Sequence, residues 1–287
     1  MSPLDRILGS GIMSLPMPEN QTAAEPAAFK SDLLKGKKGI IFGVANKRSI
    51  AWAVSRVLAN HGAQLAFTYQ GERLKEGVAE LAQTLPGKSP LYSCDVTKDD
   101  EIKRVFEGVG QEFGALHFLV HAVAFAKKED LDGRTIDTAR DGFHLATDVS
   151  TYSLLALAKA AEPLLEKEGG SIVALTYLGS EKVIPNYNVM GIAKAGLESA
   201  VRYLAFDLGK KNIRVNGVSA GPISTLAARG ISGFTTMLEN HRNRAALGRN
   251  VDVEEVANTA FFLLSPLASG ITGEIIYCDA GYRIMGA

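Results

Sequence analysis

Residues 38–54 read KGIIFGVANKRSIAWAV. A run ending in Ile40, Ile41 and Phe42 meets a glycine at position 43, a polar turn, and a segment in which Ser49 precedes Ile50, Ala51, Trp52, Ala53 and Val54. A short continuous apolar run reads as a buried strand, and a serine just before an apolar helical pattern is a favoured N-cap. Strand, glycine turn and helix form the repeating unit of a parallel sheet, because parallel neighbours need a long crossover between them. A glycine turn that opens onto a helix N-terminus also suits a pyrophosphate, through unpaired N–H groups and the helix dipole. The usual glycine fingerprint is not intact, since Ala45, Ser49 and Ala51 stand where glycines are common and the loop is longer. Taken alone, the loop reads equally as a cofactor loop and as an ordinary strand-to-helix turn.

The pattern repeats along the chain. Apolar runs at 64–69, 90–93, 117–122, 171–177, 213–219 and 274–278 alternate with amphipathic stretches at 49–60, 72–84, 98–113, 139–167, 187–209 and 252–264. Near-continuous apolar strands separated by helices predict a single doubly wound, Rossmann-like α/β domain, an about seven-stranded parallel sheet with helices on both faces. That domain spans 34–287. Residues 1–33, with Pro16, Pro18 and Pro26 near Asn20, Gln21 and Thr22, read as an irregular N-terminal arm. The stretch 225–247 is long and lacks a clean strand, which suits a substrate lid with Phe234, Met237 and Leu238 on its inner side.

Composition narrows the functional classes. Lys plus Arg and Asp plus Glu both total 31, so no global field for nucleic acid or an anionic membrane is expected. No apolar stretch is long enough to span a bilayer, and no sustained apolar segment near the N-terminus resembles a secretory signal. Cys94 and Cys278 are too few for a disulfide scaffold and show no metal spacing; Cys94, beside an apolar run, reads as a buried thiol in a reducing, cytoplasmic setting. The five histidines lack zinc spacing and there is no Gly-x-Ser-x-Gly elbow, so metal-dependent and serine-hydrolase chemistry is not expected.

Ligands of a doubly wound sheet sit beyond the carboxyl ends of its strands. After the first strand, Gly43 supplies the tight turn and Ser49 the cap. The second strand ends in Tyr69-Gln70; Gln70 can hydrogen-bond the adenosine ribose hydroxyls without repelling a 2′-phosphate. NADH is therefore favoured, while Arg73, Lys47 and Arg48 keep NADPH open. After the third strand, Asp95 and Val96 either hold the adenine amino group and ring, or Asp95 caps the helix starting near Lys98. Small residues follow His121 at Ala122, Ala124 and Ala126, and the Gly221-Pro222 turn brings backbone groups and Thr225 to where a nicotinamide carboxamide needs partners.

The remaining signal lies in 184–196, IPNYNVMGIAKAG, where Tyr187 precedes Lys194 by seven residues. Seven helical steps of about 100° return to nearly the same face, two turns on. Common short-chain dehydrogenases space this pair as Tyr-x3-Lys, and here that offset is Gly191. Ketone-reducing members carry a serine where this chain has Ala174, and a second tyrosine, Tyr177, follows. With GVANKRSIAW, LAFTYQ, CDV, YLGSEKVIPNYNVMGIAKAGLE, IRVNGVSAGPISTLAA and SGITGEIIYCDAGY, the chain from about Leu34 to Ala287 resembles the enoyl-acyl-carrier-protein reductases of bacterial type II fatty-acid synthesis. These are a divergent branch of the short-chain dehydrogenase/reductase superfamily.

The resemblance implies NADH-dependent reduction of the trans-2 double bond of an enoyl thioester on acyl carrier protein, by a homotetramer. It implies that Tyr187 stabilises the enolate, Lys194 binds the nicotinamide ribose and Tyr177 sits near the thioester. Gly43, Ser49, Ile50, Gln70, Asp95, Val96, Ala122, Lys194, Ile223 and Thr225 are the implied cofactor contacts. Ala124, Phe125, Tyr177, Tyr187, Met190, Ala227 and Phe234 are the implied substrate contacts. The family usually has glycine where Ala124 stands, so a narrower nicotinamide pocket is expected, and the N-terminal arm has no counterpart in the usual pattern. Arg242, Arg244 and Arg249 read either as a patch for the acidic carrier or as ordinary surface arginines. The rival readings are a carbonyl-reducing dehydrogenase, which Ala174 and the wide Tyr–Lys spacing oppose, and a non-catalytic dinucleotide sensor, which would have no need of the Tyr–Lys pair.

Overall fold

The computed structural model describes residues 30–225, 228 and 232–286. Seven strands, β1 (Lys38–Phe42), β2 (Gln64–Tyr69), β3 (Leu91–Ser93), β4 (Phe118–His121), β5 (Gly170–Thr176), β6 (Ile213–Ala220) and β7 (Ile275–Cys278), form one parallel sheet in the order β3-β2-β1-β4-β5-β6-β7. The order reverses between β1 and β4, which pair from Gly39–Phe118 to Phe42–His121. Helices α1 (Ile50–Asn60), α2 (Glu72–Gln83), α3 (Asp99–Phe113), α4 (Lys128–Leu131), α5 (Arg140–Thr147), α6 (Ser153–Leu165), α7 (Asn188–Gly209), α8 (Phe234–Arg244) and α9 (Val253–Leu264) connect the strands.

Successive strand residues point to opposite faces, and the apolar runs use both. Ile41, Phe67, Val120, Val173 and Val218 join one core with Trp52, Leu58, Val256 and Leu263 from α1 and α9. Ile40, Phe42, Leu119, Ile172 and Val215 join a second core with Val105, Leu157, Leu197 and Val201 from α3, α6 and α7. A doubly buried sheet is thus the reason these strands read as continuous rather than alternating apolar runs.

Ser49 caps α1 as expected, its hydroxyl accepting the Trp52 N–H at 3.3 Å. Asp95 does not cap α3. That helix begins at Asp99, and Asp95 Oδ1 instead accepts the N–H and hydroxyl of Thr97 at 3.0 and 2.8 Å. The stretch 139–167 is not one uniform α-helix, because a π-helical turn at Asp148–Tyr152 separates α5 from α6. Side chains of that turn leave the helix to bind elsewhere. Ser150 Oγ accepts the Phe125 N–H at 3.0 Å, and the Thr151 hydroxyl donates to the Ala193 carbonyl at 2.7 Å. Of the expected arm, residues 1–29 lie outside the described residues; Leu34, where the domain was expected to begin, is buried in the first core.

Gly43 adopts φ +100°, and a Cβ there would overlap the carbonyl oxygen of Ala122 on the neighbouring strand end. Left-handed backbone and missing space both demand glycine. Gly43→Ala should therefore cost more than about 1 kcal/mol of stability; urea unfolding checks this, and an unchanged midpoint would contradict it.

Candidate active site

Two cavities open beyond the carboxyl ends of the strands. The first, about 560 Å³, begins at the reversal between β1 and β4. Gly43, Ser49 and Ile50 line it from the first turn, Gln70, Asp95 and Val96 from β2 and β3, and Ala122 from β4. Lys194 and Thr225 close its far end. The second, about 420 Å³, is lined by Met190, Phe234, Met237, Pro222, Ile223 and Leu131 among others. Ile223, expected on the cofactor, borders this second cavity and not the first. Ala124, Phe125, Thr176, Tyr177, Tyr187 and Thr225 border both, so the cavities meet at the tyrosine pair. Ala227 lies outside the described residues.

An extended dinucleotide fits the first cleft on its own geometry. Gly43 lets the turn pass close to Ala122, and the α1 N-terminus behind it offers free N–H groups. At the ends of β2 and β3, Gln70 and Asp95 both line the cleft. Burial alone would raise the Asp95 pKa, but the bonds from Thr97, with the Gln70 side chain and the Lys98 charge, outweigh it and hold the carboxyl below its usual range. Arg73, Lys47 and Arg48 are exposed and are not among the residues that line the cleft.

Tyr187 is the residue just before α7, with φ −118° and ψ −16°, so its spacing to Lys194 is helical from Asn188 onward. Both are buried, at 9% and 5% exposure, and both face the first cleft. The Tyr177 and Tyr187 rings meet edge to face, 5.1 Å between centroids and 76° between planes. Such a pair contributes about 0.5–1.5 kcal/mol beyond its buried area. Burial pushes the Tyr187 phenol far above its ordinary pKa, with Tyr177 and Glu198 adding to the shift, and pushes Tyr177 up to about 12. Each is a neutral hydrogen-bond donor at physiological pH. Burial lowers Lys194 to about 8, and the Glu198 charge opposes that fall.

Gly191, at the common lysine offset, packs against the turn after β5: a Cβ there would lie 2.8 Å from the Gly179 carbonyl oxygen. Gly179 is closed in turn by Tyr187, whose ring atoms would lie 2.5 and 2.7 Å from an added Cβ. A lysine four residues after Tyr187 has no room in this fold, which is a physical reason for the wider spacing.

Several expectations need amendment. Leu238 is half-buried on α8 but borders neither cavity, whereas Met237 does and receives the Tyr177 hydroxyl on its sulfur at 3.4 Å. All three arginines of the expected patch are exposed, but Arg249 is committed to a forked ion pair with Glu255, at 2.6 and 2.9 Å. Thr176, Ser150, Thr151 and Glu198 were not assigned from the sequence. The available sequence signal for Glu198 was its place four residues after Lys194, one turn on along the same helix. Among the described residues, no group of three or more His, Cys, Asp or Glu side chains is placed to hold a metal ion.

The family described as enoyl-(acyl carrier protein) reductase matches residues 43–283. The chain is 53% identical over 256 residues to the enoyl-acyl-carrier-protein reductase (NADH) FabI of Bacillus cereus, covering 89% of this chain and 100% of that protein. A crystal structure of the Bacillus cereus enoyl-acyl carrier protein reductase with NADP+ and indole naphthyridinone superposes with TM-score 0.87 at 52% identity, over 89% of this chain and 99% of that one. The reductase of Anaplasma phagocytophilum in complex with NAD gives TM-score 0.87 at 44% identity, over 90% and 98% of the two chains.

The close approach at Gly191 is testable against a roomy position on the same helix. Gly191→Ala should lose about 1–3 kcal/mol through overpacking, whereas Gly209→Ala, with nothing within 4 Å of its added Cβ, should not destabilise. Equal urea midpoints for the two variants would contradict the steric account.

Proposed function

The chain belongs to the enoyl-(acyl carrier protein) reductase family, and we propose from that premise how its site carries the reaction. It is an oxidoreductase: it reduces the double bond of an enoyl thioester on acyl carrier protein, with NADH as the reductant. The observation that carries the residue assignment is the meeting of the two cavities at Tyr177 and Tyr187, with Lys194 on the cleft side.

Bound NADH supplies the hydride, which the β-carbon of the trans-2-enoyl group receives. Electron density then moves to the thioester oxygen as an enolate. Tyr187 donates a hydrogen bond to that oxygen, and burial keeps its phenol protonated for that task. The enolate then takes up a proton from water at its α-carbon, which completes the saturated thioester. Tyr177 supports the reading as its edge-to-face neighbour, with its own hydroxyl held by Met237. Lys194, an ammonium at neutral pH, binds the ribose hydroxyls and keeps the local potential positive. Gly43, Ser49, Ile50, Gln70, Asp95, Val96, Ala122 and Thr225 hold the cofactor along the first cleft, with Ile223 beside it. Ala124, Phe125, Met190 and Phe234 receive the acyl chain, and Ala227 belongs to the same set by resemblance alone.

The stretch 225–247 acts as the lid, a reading supported by Phe234 and Met237 of α8 on the second cavity. Arg242 and Arg244, exposed at the end of that helix, receive the acidic carrier. The working assembly is a homotetramer, for which the exposed Tyr203 and Phe206 on α7 and Tyr152 and Leu155 by α6 are the support. Among the described residues no helix is long and apolar enough to cross a membrane. A cytoplasmic setting agrees with the two free cysteines, Cys94 and Cys278.

Tyr187→Phe should lower kcat by about 10²–10³-fold, the usual loss for one oxyanion donor, with the KM for NADH nearly unchanged. Lys194→Ala should raise the KM for NADH as well as lower kcat. Full activity in both variants would overturn these roles. Charge reversal at Arg242 and Arg244 together should raise the KM for carrier-bound substrate, and an unchanged KM would remove the patch.

A further inference from the structure

Glu198 is a buried carboxylate that the reaction as described does not use. It sits one helical turn after Lys194 on α7, at 5% exposure, and no ion pair forms on it among the described residues. The Thr176 hydroxyl donates to its Oε1 at 2.6 Å. The neighbouring residue on β5, Leu175, accepts Lys194 Nζ on its carbonyl at 2.7 Å. Two successive residues at the end of one strand therefore grip two charged side chains one turn apart on the helix facing it.

That arrangement has a specific electrostatic consequence. A buried ammonium is disfavoured by its own desolvation, and a fixed negative charge nearby is the physical means of retaining its proton. We propose that Glu198 is a positioning residue of the reductase, held by Thr176 so that its carboxylate keeps Lys194 in the ammonium form that binds the cofactor. The inference rests on the role given to Lys194 above.

The other groups around the pair do not supply that charge. His121, on β4, feels Lys194 but is held neutral by complete burial, with its pKa near 3. Tyr177 and Tyr187 are neutral phenols at the mouth. Tyr277 on β7 also feels the Glu198 charge, and its hydroxyl donates at 2.5 Å to Glu181, an exposed residue. The strand ends contribute the uncharged Leu175, Thr176 and Ser219, and the π-helical turn meets α7 through Thr151. Burial pulls Lys194 down to about 8, and Glu198 is the charge that opposes it.

The sign is definite. Lys194 has its folded pKa depressed, so its ammonium is full below that value and is lost as pH rises through it. Removing Glu198 moves the loss to lower pH. Glu198→Gln keeps an oxygen for Thr176 and deletes only the charge. The experiment is kcat/KM for NADH from pH 6 to 9.5, because that ratio reports the groups of the free enzyme. Wild type should lose activity with an alkaline limb near pH 8. In Glu198→Gln the limb should fall by about one unit, the lower end of what a neighbouring opposite charge does, so activity at pH 8 drops about five-fold while that at pH 6 stays near wild type. Glu198→Asp should restore the limb toward wild type. A Gln variant whose limb coincides with wild type, or whose loss is the same at every pH, overturns the proposal. If that variant fails to fold, Thr176→Val, which frees the carboxylate to turn away, should shift the limb the same way by less, and an unmoved limb is equally fatal. Wild type without NADH-dependent enoyl reduction would sink the functional reading itself; an active wild type with unmoved limbs sinks only the role of Glu198.

Discussion

The carboxyl end of β5 is the constraint on which the site depends. Leu175, Thr176 and Tyr177 follow one another there, and each meets α7 or its first turn: a carbonyl on Lys194, a hydroxyl on Glu198, a ring against Tyr187. Behind them β5 is paired to β4 as far as Ala174 and to β6 through Thr176–Ser219 at its last residue. A buried strand end is among the stiffest parts of such a fold, so groups referred to it keep their spacing within the tolerance that transition-state stabilisation requires. The π-helical turn adds a second brace, tying α7 through Ala193 and the loop after β4 through Phe125.

Low dielectric makes this rigidity useful. Burial raises both phenols, so they donate hydrogen bonds without ionising, and it makes the Lys194 charge expensive unless an opposing charge is fixed nearby. Hydrogen-bond donors directed at a developing enolate are worth most where water is scarce, and the junction of the two cavities is bordered by the apolar side chains of Ile50 and Phe125. Gly191 and Gly179 exclude side chains from the gap between α7 and the turn after β5, which leaves the lysine only the position one turn further on.

Much of this was legible in the chain because its cause is local. Apolar runs marked the seven strands within about a residue or two, since both sheet faces are covered, and Ser49 announced its cap. Cleft residues such as Gly43, Gln70 and Val96 were found by looking beyond strand ends, a rule of topology. What escaped the sequence is set by distant contacts. The π-turn exists because Ser150 and Thr151 reach residues 25 and 42 positions away. Asp95 bonds Thr97 where a helix cap was equally plausible, and Arg249 is taken by Glu255 of the capping box of α9. The size of the Lys194 perturbation follows from burial that no spacing rule conveys.

The central claim is that this Tyr–Lys geometry, with Ala174 in place of a serine and a second tyrosine at the pocket junction, serves reduction of C=C and not of C=O. Its most direct test follows the nicotinamide absorbance band with crotonyl thioester and with acetoacetyl thioester as alternative substrates. The account predicts NADH oxidation with the crotonyl compound and none above background with the acetoacetyl compound. Oxidation with acetoacetyl thioester but not with crotonyl thioester would contradict it.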